Sequence, residues 1–219
     1  MHHRLLRNFL LGLVGVVVIA IAVSLFTATT ATPRFYYSVT PLGTLNNYPL
    51  TLPLRINNSG QVVGMSQTTN RLKEHAFLWQ NGNMTDLGTL GGDKSRAFDI
   101  NNAGQVVGKS LTNSGLYHAF LWQNGTLTNL GNFGGTTTEA IDINQVGTVV
   151  GYSSTSSGTL QAFVWRNGII RNLNNLLPPN SGWELTVASG INDKGQIVGA
   201  GKFNGQDKGF LLTPVTVSH

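Results

Sequence analysis

Two glutamates of this chain, Glu139 and Glu184, have the residue type that glycoside hydrolysis requires. A glycosidase uses one carboxyl group as an acid and a second as a base or nucleophile, on either side of the scissile bond. Both glutamates fall in the same kind of connection within an internal repeat, so the fold could bring them to one surface. The pair keeps a glycan-active hydrolase open as an alternative function.

Two histidines and two aspartates are also residue types used in acid-base catalysis, namely His75, His118, Asp99 and Asp142. Each pair occupies equivalent positions in neighbouring copies of the repeat, whereas a catalytic base should break the pattern. We therefore interpret both pairs as structural. The chain has no cysteine, which excludes thiol nucleophiles and thiolate metal ligands, and no copy has the ligand spacing of a calcium loop. The sequence thus predicts no catalytic residue, metal or cofactor.

Four side chains are the best candidates for contacting a ligand: Trp183, Tyr117, Arg71 and Arg96. They are aromatic or guanidinium groups, which are enriched at binding hot spots, and they lie on connections that the copies do not share. Trp183 stands alone in the longest connection, residues 174–186. The other three tryptophans recur in register, so we expect them to pack between strands.

The elements that must position these residues come from a fourfold internal repeat. The phrase Ala-Phe-Leu-Trp at 76–79 recurs at 119–122, as Ala-Phe-Val-Trp at 162–165 and as Gly-Phe-Leu-Leu at 209–212. An Ile-Asn pair and a Gly-Gln-Val-Val-Gly phrase precede the copies, and Thr-Asp-Leu-Gly or a variant follows the first three. Equivalent positions are 43 to 48 residues apart. This period is typical of a unit of four short strands, such as a propeller blade.

Two tight turns are predicted in the repeat. Asn-Gly at 81–82, 124–125 and 167–168 favours a type I′ hairpin, which needs positive φ at both residues. The stretch from each Ile-Asn pair to the next glycine favours a type I turn with a bulge. Because connections of an antiparallel meander alternate between ends, both tight turns should share one face and both variable connections the other. Binding residues concentrate on loops, so the variable face is the predicted functional surface.

These features predict an all-β fold, a four-bladed β-propeller of four-stranded antiparallel blades. The fourth copy stops after its third strand, and the missing strand is found at 37–43, where Thr-Pro-Leu-Gly matches Thr-Asp-Leu-Gly. Residues 210–213 should therefore pair antiparallel with residues 37–41 and close the ring, which removes exposed sheet edges. We also expect the domain to be a monomer.

The phrase His75-Ala76-Phe77-Leu78-Trp79 and its copy at 118–122, with the Ile-Asn and Gly-Gln-Val-Val-Gly phrases, resemble the HAF-type repeats of bacterial secreted proteins. The likeness covers residues 35–219, although the third copy has Gln161 in place of histidine and the fourth has Lys208. The resemblance implies an extracellular repeat domain and supplies no catalytic residue.

Residues 1–34 are predicted to be a signal peptide or an N-terminal membrane anchor. Arg4 and Arg7 precede an apolar stretch at 9–26, which is followed by small residues at 27–32. This order is typical of a secretory signal cleaved after Ala31, yet the stretch is also long enough to span a bilayer uncleaved. In both cases the positive flank places residues 35–219 outside the cytoplasm, secreted or at the cell surface or in the periplasm.

The charge pattern limits the classes of binding partner that we expect. The formal net charge is +5 and only 11% of residues are charged. The charges are scattered singly, so the basic stripe needed for nucleic-acid binding is missing, and membrane contact is expected only through an uncleaved N-terminal segment. We expect an exported, non-enzymatic binding or surface-interaction domain whose partner is an extracellular glycan or protein. A purely structural envelope domain is the third alternative, beside the hydrolase.

Cleavage of the N-terminal segment can be tested directly. If the signal is removed, mass spectrometry of secreted protein should find an N-terminus near Thr32, because the small-residue stretch ends there. Recovery of the intact chain with the membrane fraction would instead identify the segment as an anchor.

Overall fold

A computed structural model of the protein describes residues 36–215, and residues 40–215 belong to one compact body. The described part contains fifteen β-strands and one short 3-10 helix. The predicted signal or anchor segment, residues 1–34, lies outside the described residues. No helix within 36–215 has the length and apolar character needed to cross a membrane.

The strands follow one another in four repeats of the same order. Repeats 1 and 2 contain β1 (Leu50–Ile56), β2 (Val62–Gln67), β3 (Glu74–Gln80), β4 (Asn83–Asp86), β5 (Gly91–Ile100), β6 (Val106–Thr112), β7 (Tyr117–Gln123) and β8 (Thr126–Asn129). Repeats 3 and 4 contain β9 (Gly134–Ile143), β10 (Val149–Thr155), β11 (Leu160–Arg166), β12 (Ile169–Asn172), the 3-10 helix (Leu173–Leu176), β13 (Trp183–Ile191), β14 (Ile197–Phe203) and β15 (Gln206–Leu212).

Each repeat is an antiparallel meander, so the all-β prediction and the strand order within the repeat are confirmed. The Asn-Gly hairpins have the predicted backbone, since Asn81 has a φ of 50° and Gly82 a φ of 85°. Both residues are in the left-handed region that a type I′ turn requires. In repeats 1 to 3 the two tight turns lie at one end of the meander and the variable connections at the other. In repeat 4 the connection between β14 and β15 is itself a tight turn, since Asn204 has a φ of 50° and Gly205 a φ of 80°.

The predicted four-bladed propeller is wrong. Strands β1 to β12 form one mixed twelve-stranded sheet, β13 to β15 form a second sheet, and the array is not closed. Among the described residues β15 pairs only with β14, and residues 36–44 belong to no strand, so the predicted pairing of 210–213 with 37–41 is not formed. The repeat pattern fixes the strands within one unit, but it does not encode the angle between units that decides closure.

The hydrophobic core lies between consecutive repeats rather than within one repeat. Phe120 of repeat 2 is fully buried against Leu78 and Leu87 of repeat 1. Phe163 and Phe210 take the same place in the next two interfaces. The equivalent Phe77 of repeat 1 is also fully buried, although no described repeat precedes it. Packing between repeats therefore accounts for the burial of the three later rings, as expected of a repeat protein.

A glycine of the second strand makes room for the phenylalanine ring. Gly199 lies opposite Phe210 in the sheet, and a Cβ atom at Gly199 would stand 2.5 Å from the ring. At Gly151 the Cβ atom would lie 3.0 Å from the ring of Phe163. The nearer obstacle is a main-chain oxygen of the first strand, that of Val187 at 2.0 Å from the Cβ position of Gly199 and that of Glu139 at 1.9 Å from the Cβ position of Gly151. The last glycine of the Gly-Gln-Val-Val-Gly phrase is therefore required chiefly by the close approach of the first strand, and in these two copies also by the ring.

Asparagine side chains connect the tight turns of adjacent repeats. The Nδ2 groups of Asn57, Asn101 and Asn144 donate to the main-chain oxygens of Asn101, Asn144 and Asn192, at 3.0, 3.0 and 3.1 Å. The Oδ1 atom of each of these side chains accepts main-chain N–H groups within its own turn. This asparagine ladder explains why asparagine recurs after isoleucine, because one side chain satisfies polar groups of two repeats.

Repeat symmetry allows one substitution to be compared in two environments. Ile100 is 6% exposed between repeats 1 and 2, whereas the equivalent Ile56 at the free end of repeat 1 is 68% exposed. We expect Ile100→Ala to lower the free energy of unfolding by about 2–5 kcal/mol, because it leaves a cavity in a packed interface. The matched control Ile56→Ala should change it by less than about 0.5 kcal/mol. Urea unfolding measures both, and equal effects would contradict the inter-repeat core.

Candidate functional site

A β-bulge recurs in the first strand of every repeat. The pairing with the second strand skips one residue at the same place each time: Leu54, Phe98, Ile141 and Ser189. A bulge bends its strand and redirects the side chain of the extra residue. At this position of each repeat, the side chain therefore does not follow the regular alternation between the two faces of the sheet.

The bulges of repeats 1 to 3 line one cavity of about 300 Å³. We call it the bulge groove and define it by its six lining residues, Leu54, Arg55, Arg96, Phe98, Glu139 and Ile141. Three of these side chains are apolar, two are guanidinium groups and one is a carboxylate. The groove thus combines an apolar surface with charged groups of both signs.

Arg96 is fixed in the groove by a carboxylate of the preceding repeat. Its Nε and Nη2 atoms donate to Oε1 and Oε2 of Glu74 at 2.8 and 3.0 Å, and Gln67 donates to the same carboxylate at 2.7 Å. The hydrogen bonds to Glu74 raise the pKa of Arg96, although partial burial opposes them. Because the pair is bidentate, it sets the orientation of the guanidinium plane.

Lys109 makes the corresponding contact between repeats 2 and 3. Its Nζ atom lies 2.7 Å from Oε1 of Glu139, 4.9 Å from the ring centroid of Tyr117 and 5.8 Å from that of Phe98. These distances fit a cation–π contact beside an ion pair. Burial, and after it the hydrogen bond with Glu139, raises the pKa of the Tyr152 hydroxyl. The carboxylate of Glu139 is therefore held between Lys109 and Tyr152.

Arg55 is the cation of the groove that is most open to solvent. Its side chain is 60% exposed, and its Nε atom lies 3.9 Å from Oδ1 of Asp99. At that distance and exposure the ion pair contributes little. Arg55 can therefore turn its donors toward a bound group.

Asp99 and Asp142 connect adjacent repeats through main-chain groups. The N–H of Ile143 donates to Oδ2 of Asp99 and to Oδ1 of Asp142, both at 3.0 Å, and the N–H of Ile191 donates to Oδ2 of Asp142 at 2.6 Å. Burial, and then the hydrogen bond and charge of Asp142, raises the pKa of Asp99 to about 7. These contacts agree with the structural interpretation of the repeated aspartates.

The four predicted contact residues are divided between the groove and other places. Arg96 lies within β5 rather than in a connection, and Tyr117 is the first residue of β7 and contacts the groove through Lys109. Trp183 begins β13 and packs on the rings of Phe203 and Phe210, with centroids 5.1 and 6.3 Å away.

Arg71, the fourth of these residues, lies in an exposed turn with a φ of 59°. Its main-chain N–H donates to the oxygen of Thr68 at 2.8 Å. Neither Arg71 nor Trp183 lines the groove. The contact role of all four residues stays a prediction.

Arg55 and the bulge residues were missed because the search was confined to connections. The sequence does contain a signal for them. The four copies of the first strand share Ile-Asn but differ two residues before the isoleucine, where they have Leu54, Phe98, Ile141 and Ser189. Variation inside an otherwise repeated strand could have indicated that these side chains face something other than the common core.

The two glutamates considered for hydrolysis are not both in the groove. Glu139 lines it and is paired with Lys109, whereas Glu184 is exposed in β13, opposite Lys202, and is not a lining residue. Within residues 36–215, no group of three or more His, Asp or Glu side chains is placed to hold a metal ion. No protein-family model matches this chain, and no curated protein matches it either. The function must therefore be argued from the geometry of the groove.

The raised pKa of Asp99 predicts a pH-dependent stability. A carboxyl group with a pKa of about 7 when folded and 3.8 as its ordinary value binds its proton more tightly in the folded state. Its contribution to stability is therefore complete below about pH 4 and is lost as the pH rises to about 7. Asp99→Asn keeps an acceptor for the N–H of Ile143 but cannot ionise. The free energy of unfolding of this variant should therefore no longer fall as the pH rises from about 4 to about 7.

Urea unfolding at a series of pH values between 4 and 8 measures the effect. The control is Asp207→Asn, which changes an exposed carboxylate of the last hairpin and should keep the pH profile of the unmodified protein. An unchanged profile in Asp99→Asn would show that Asp99 does not titrate in this range.

Proposed function

We propose that the protein is an exported, non-enzymatic binding module that takes an extracellular ligand, a glycan or a protein segment, in the bulge groove. The observation that carries this proposal is the repeated bulge, which projects a different side chain from each of three consecutive repeats into one cavity. Repeated packing residues would be expected to stay alike in every copy. Their divergence at the groove is what a binding surface on a repeat scaffold requires.

The chemistry of the groove favours a ligand that carries an acidic group beside an apolar surface. The guanidinium of Arg55 offers donors in a planar arrangement that matches a carboxylate, sulfate or phosphate. Leu54, Phe98 and Ile141 provide an apolar surface for the face of a sugar ring or for an aliphatic side chain. An acidic oligosaccharide and an acidic peptide segment both have this combination.

The groove is also held in shape before any ligand arrives. The ion pairs of Arg96 with Glu74 and of Lys109 with Glu139 join its walls across two interfaces between repeats. Side chains that are already ordered lose little conformational entropy on binding, which favours affinity.

The alternative functions have less support. Hydrolysis of a glycan needs two carboxyl groups across the bond, and the groove offers only Glu139, which is paired with Lys109. A purely structural role would leave the divergence of the bulge residues without a reason. Export rests on the sequence pattern of residues 1–34.

A binding screen with the exported protein tests the proposal. Immobilised oligosaccharides with and without acidic groups, together with acidic and neutral peptides, should show binding to an acidic class. Arg55→Gln should then weaken binding about 10- to 100-fold, because a charge-assisted hydrogen bond contributes about 1.5–3 kcal/mol. Thermal unfolding should change little, since Arg55 is exposed.

Arg71→Gln is the matched control, because Arg71 is an exposed arginine outside the groove. Binding that is unaffected by Arg55→Gln but lost in Arg71→Gln or Trp183→Ala would move the site to the variable connections. Release of shortened sugars from the bound oligosaccharide would favour the hydrolase.

A further inference from the structure

The first end of the open array exposes a position that is buried inside it. Ile56 of repeat 1 is 68% exposed, whereas Ile100 and Ile143, which follow it in register, are 6% and 4% exposed. The inner isoleucines pack on the preceding repeat, and the described chain has no repeat before the first. Phe77, the equivalent of Phe120, is already buried in repeat 1, so the part of this face that is open to another repeat is the end at Ile56.

The last end exposes the complementary positions. Val198 of repeat 4 is 46% exposed, whereas the equivalent Val107 and Val150 are fully buried under the repeat that follows them. Leu211 is 61% exposed, whereas the equivalent Leu78 is 8% exposed. Repeat 4 therefore presents the face on which another repeat would pack.

The edge of repeat 4 lacks a strand that the other repeats have. Strands β3, β7 and β11 each pair with a short fourth strand, but β15 has no such partner among the described residues. The missing phrase stands at residues 40–43, Thr-Pro-Leu-Gly, beside repeat 1. This segment is attached there, since Thr51 Oγ1 donates to the oxygen of Gly43 at 3.1 Å and Ser66 Oγ to that of Tyr48 at 2.7 Å.

The asparagine ladder has matching free ends. Asn192 continues the series of Asn57, Asn101 and Asn144, but among the described residues its Nδ2 group donates only to Gln196 within its own turn. At the other end, the main-chain oxygen of Asn57 accepts the N–H of Gly60, as Asn101 accepts that of Gly104, but receives no ladder bond. The next rung would join Asn192 to Asn57.

We propose that the protein assembles head to tail with a second copy of itself, repeat 4 of one copy packing on repeat 1 of the next. Residues 40–43 of the second copy then supply the fourth strand of repeat 4, and Asn192 of the first donates to Asn57 of the second. The interface is continuous with the three that already join the repeats, which is why a second copy is the occupant that fits both ends. Within residues 36–215 of a single chain, repeat 4 is not paired with repeat 1 or with residues 36–48.

The register follows from the inner repeats. Leu78 lies opposite Thr85 and Phe77 opposite Asp86, so Leu211 should lie opposite Thr40 and Phe210 opposite Pro41 of the second copy. Counting from the two-residue hairpin, the Asp86 position is not hydrogen-bonded to β3. A proline there removes no bond of the ladder, so Pro41 is compatible with the pairing.

The interface between copies should be weaker than the inner ones. Gly190 stands where Asp99 and Asp142 accept the N–H of the next repeat's isoleucine, so the bond to Ile56 is lost. We therefore expect an association that depends on protein concentration. Because the two contacting surfaces differ, the assembly is heterologous and forms a ring or a fibre according to the angle between copies.

Cysteine crosslinking tests the contact, since the chain has no cysteine of its own. Full-length Thr40→Cys and Leu211→Cys, carrying different tags, are co-expressed and treated with a short thiol-specific crosslinker. The proposal predicts a crosslinked dimer that contains both tags, which no contact within one chain could produce. The matched control pairs Leu211→Cys with Thr128→Cys, an exposed threonine of β8 that already lies opposite Leu121. Mixed dimers no more abundant than in this control would overturn the proposal.

Sedimentation velocity over a range of concentrations provides the second measurement. The unmodified protein should show species larger than the monomer as concentration rises, and Val198→Glu should shift them to monomer by placing a charge on the packing face. Val146→Glu, at an apolar residue that is 64% exposed in a turn, is the control and should leave the assembly unchanged. Circular dichroism checks that both variants are folded. A monomer at every concentration, or assembly unaffected by Val198→Glu, would overturn the proposal.

Discussion

Packing of the phenylalanine of one repeat on the strands of the repeat before it is the interaction on which the rest of this structure depends. Phe120 is fully buried in a cluster that includes Leu78 and Leu87 of the neighbouring repeat. A meander of four short strands has two faces and too little thickness to cover both. Stability therefore comes from interfaces, and each interface uses the same positions of the repeat.

The polar contacts, like the apolar ones, lie at the interfaces between repeats. The asparagine ladder and the aspartates before each isoleucine make hydrogen bonds across the interfaces, so the burial of these side chains leaves few donors unsatisfied. Ion pairs of Arg96 and Lys109 cross the interfaces at the groove. These contacts hold adjacent first strands at a fixed spacing, and that spacing is what aligns three bulges into one cavity.

A scaffold of this kind separates stability from recognition. The residues that recur in every copy fill the interfaces, whereas the bulge residues can change from copy to copy because they point away from the common core. Leu54, Phe98 and Ile141 show this freedom, while the flanking isoleucines and asparagines do not vary. Repeats 1 and 4 keep apolar residues at the repeated positions even where no described part of the chain covers them, as Ile56, Val198 and Leu211 show.

The sequence by itself determined the local structure of the repeat. Asn81-Gly82 encodes its hairpin through the positive φ of both residues, and the continuous apolar run Ala76-Phe77-Leu78 encodes a strand that is buried on both faces. These are properties of a few neighbouring residues, so they can be read from one copy. Of the residues that line the bulge groove, the sequence analysis named Arg96 as a contact residue but not Arg55, and the contact role of Arg96 and Tyr117 stays a prediction.

The tertiary structure alone decided how the repeats are arranged relative to one another and where the bulge groove forms. Whether four repeats close depends on the angle at each interface between repeats, and this angle has no signature in the period of the repeat. The bulge at Phe98 likewise depends on the register of two strands, since one skipped residue reverses the direction of a side chain. Single residues determine the turns and the burial of side chains within one repeat. The spacing and angle between repeats determine whether the array closes and where the bulge groove forms.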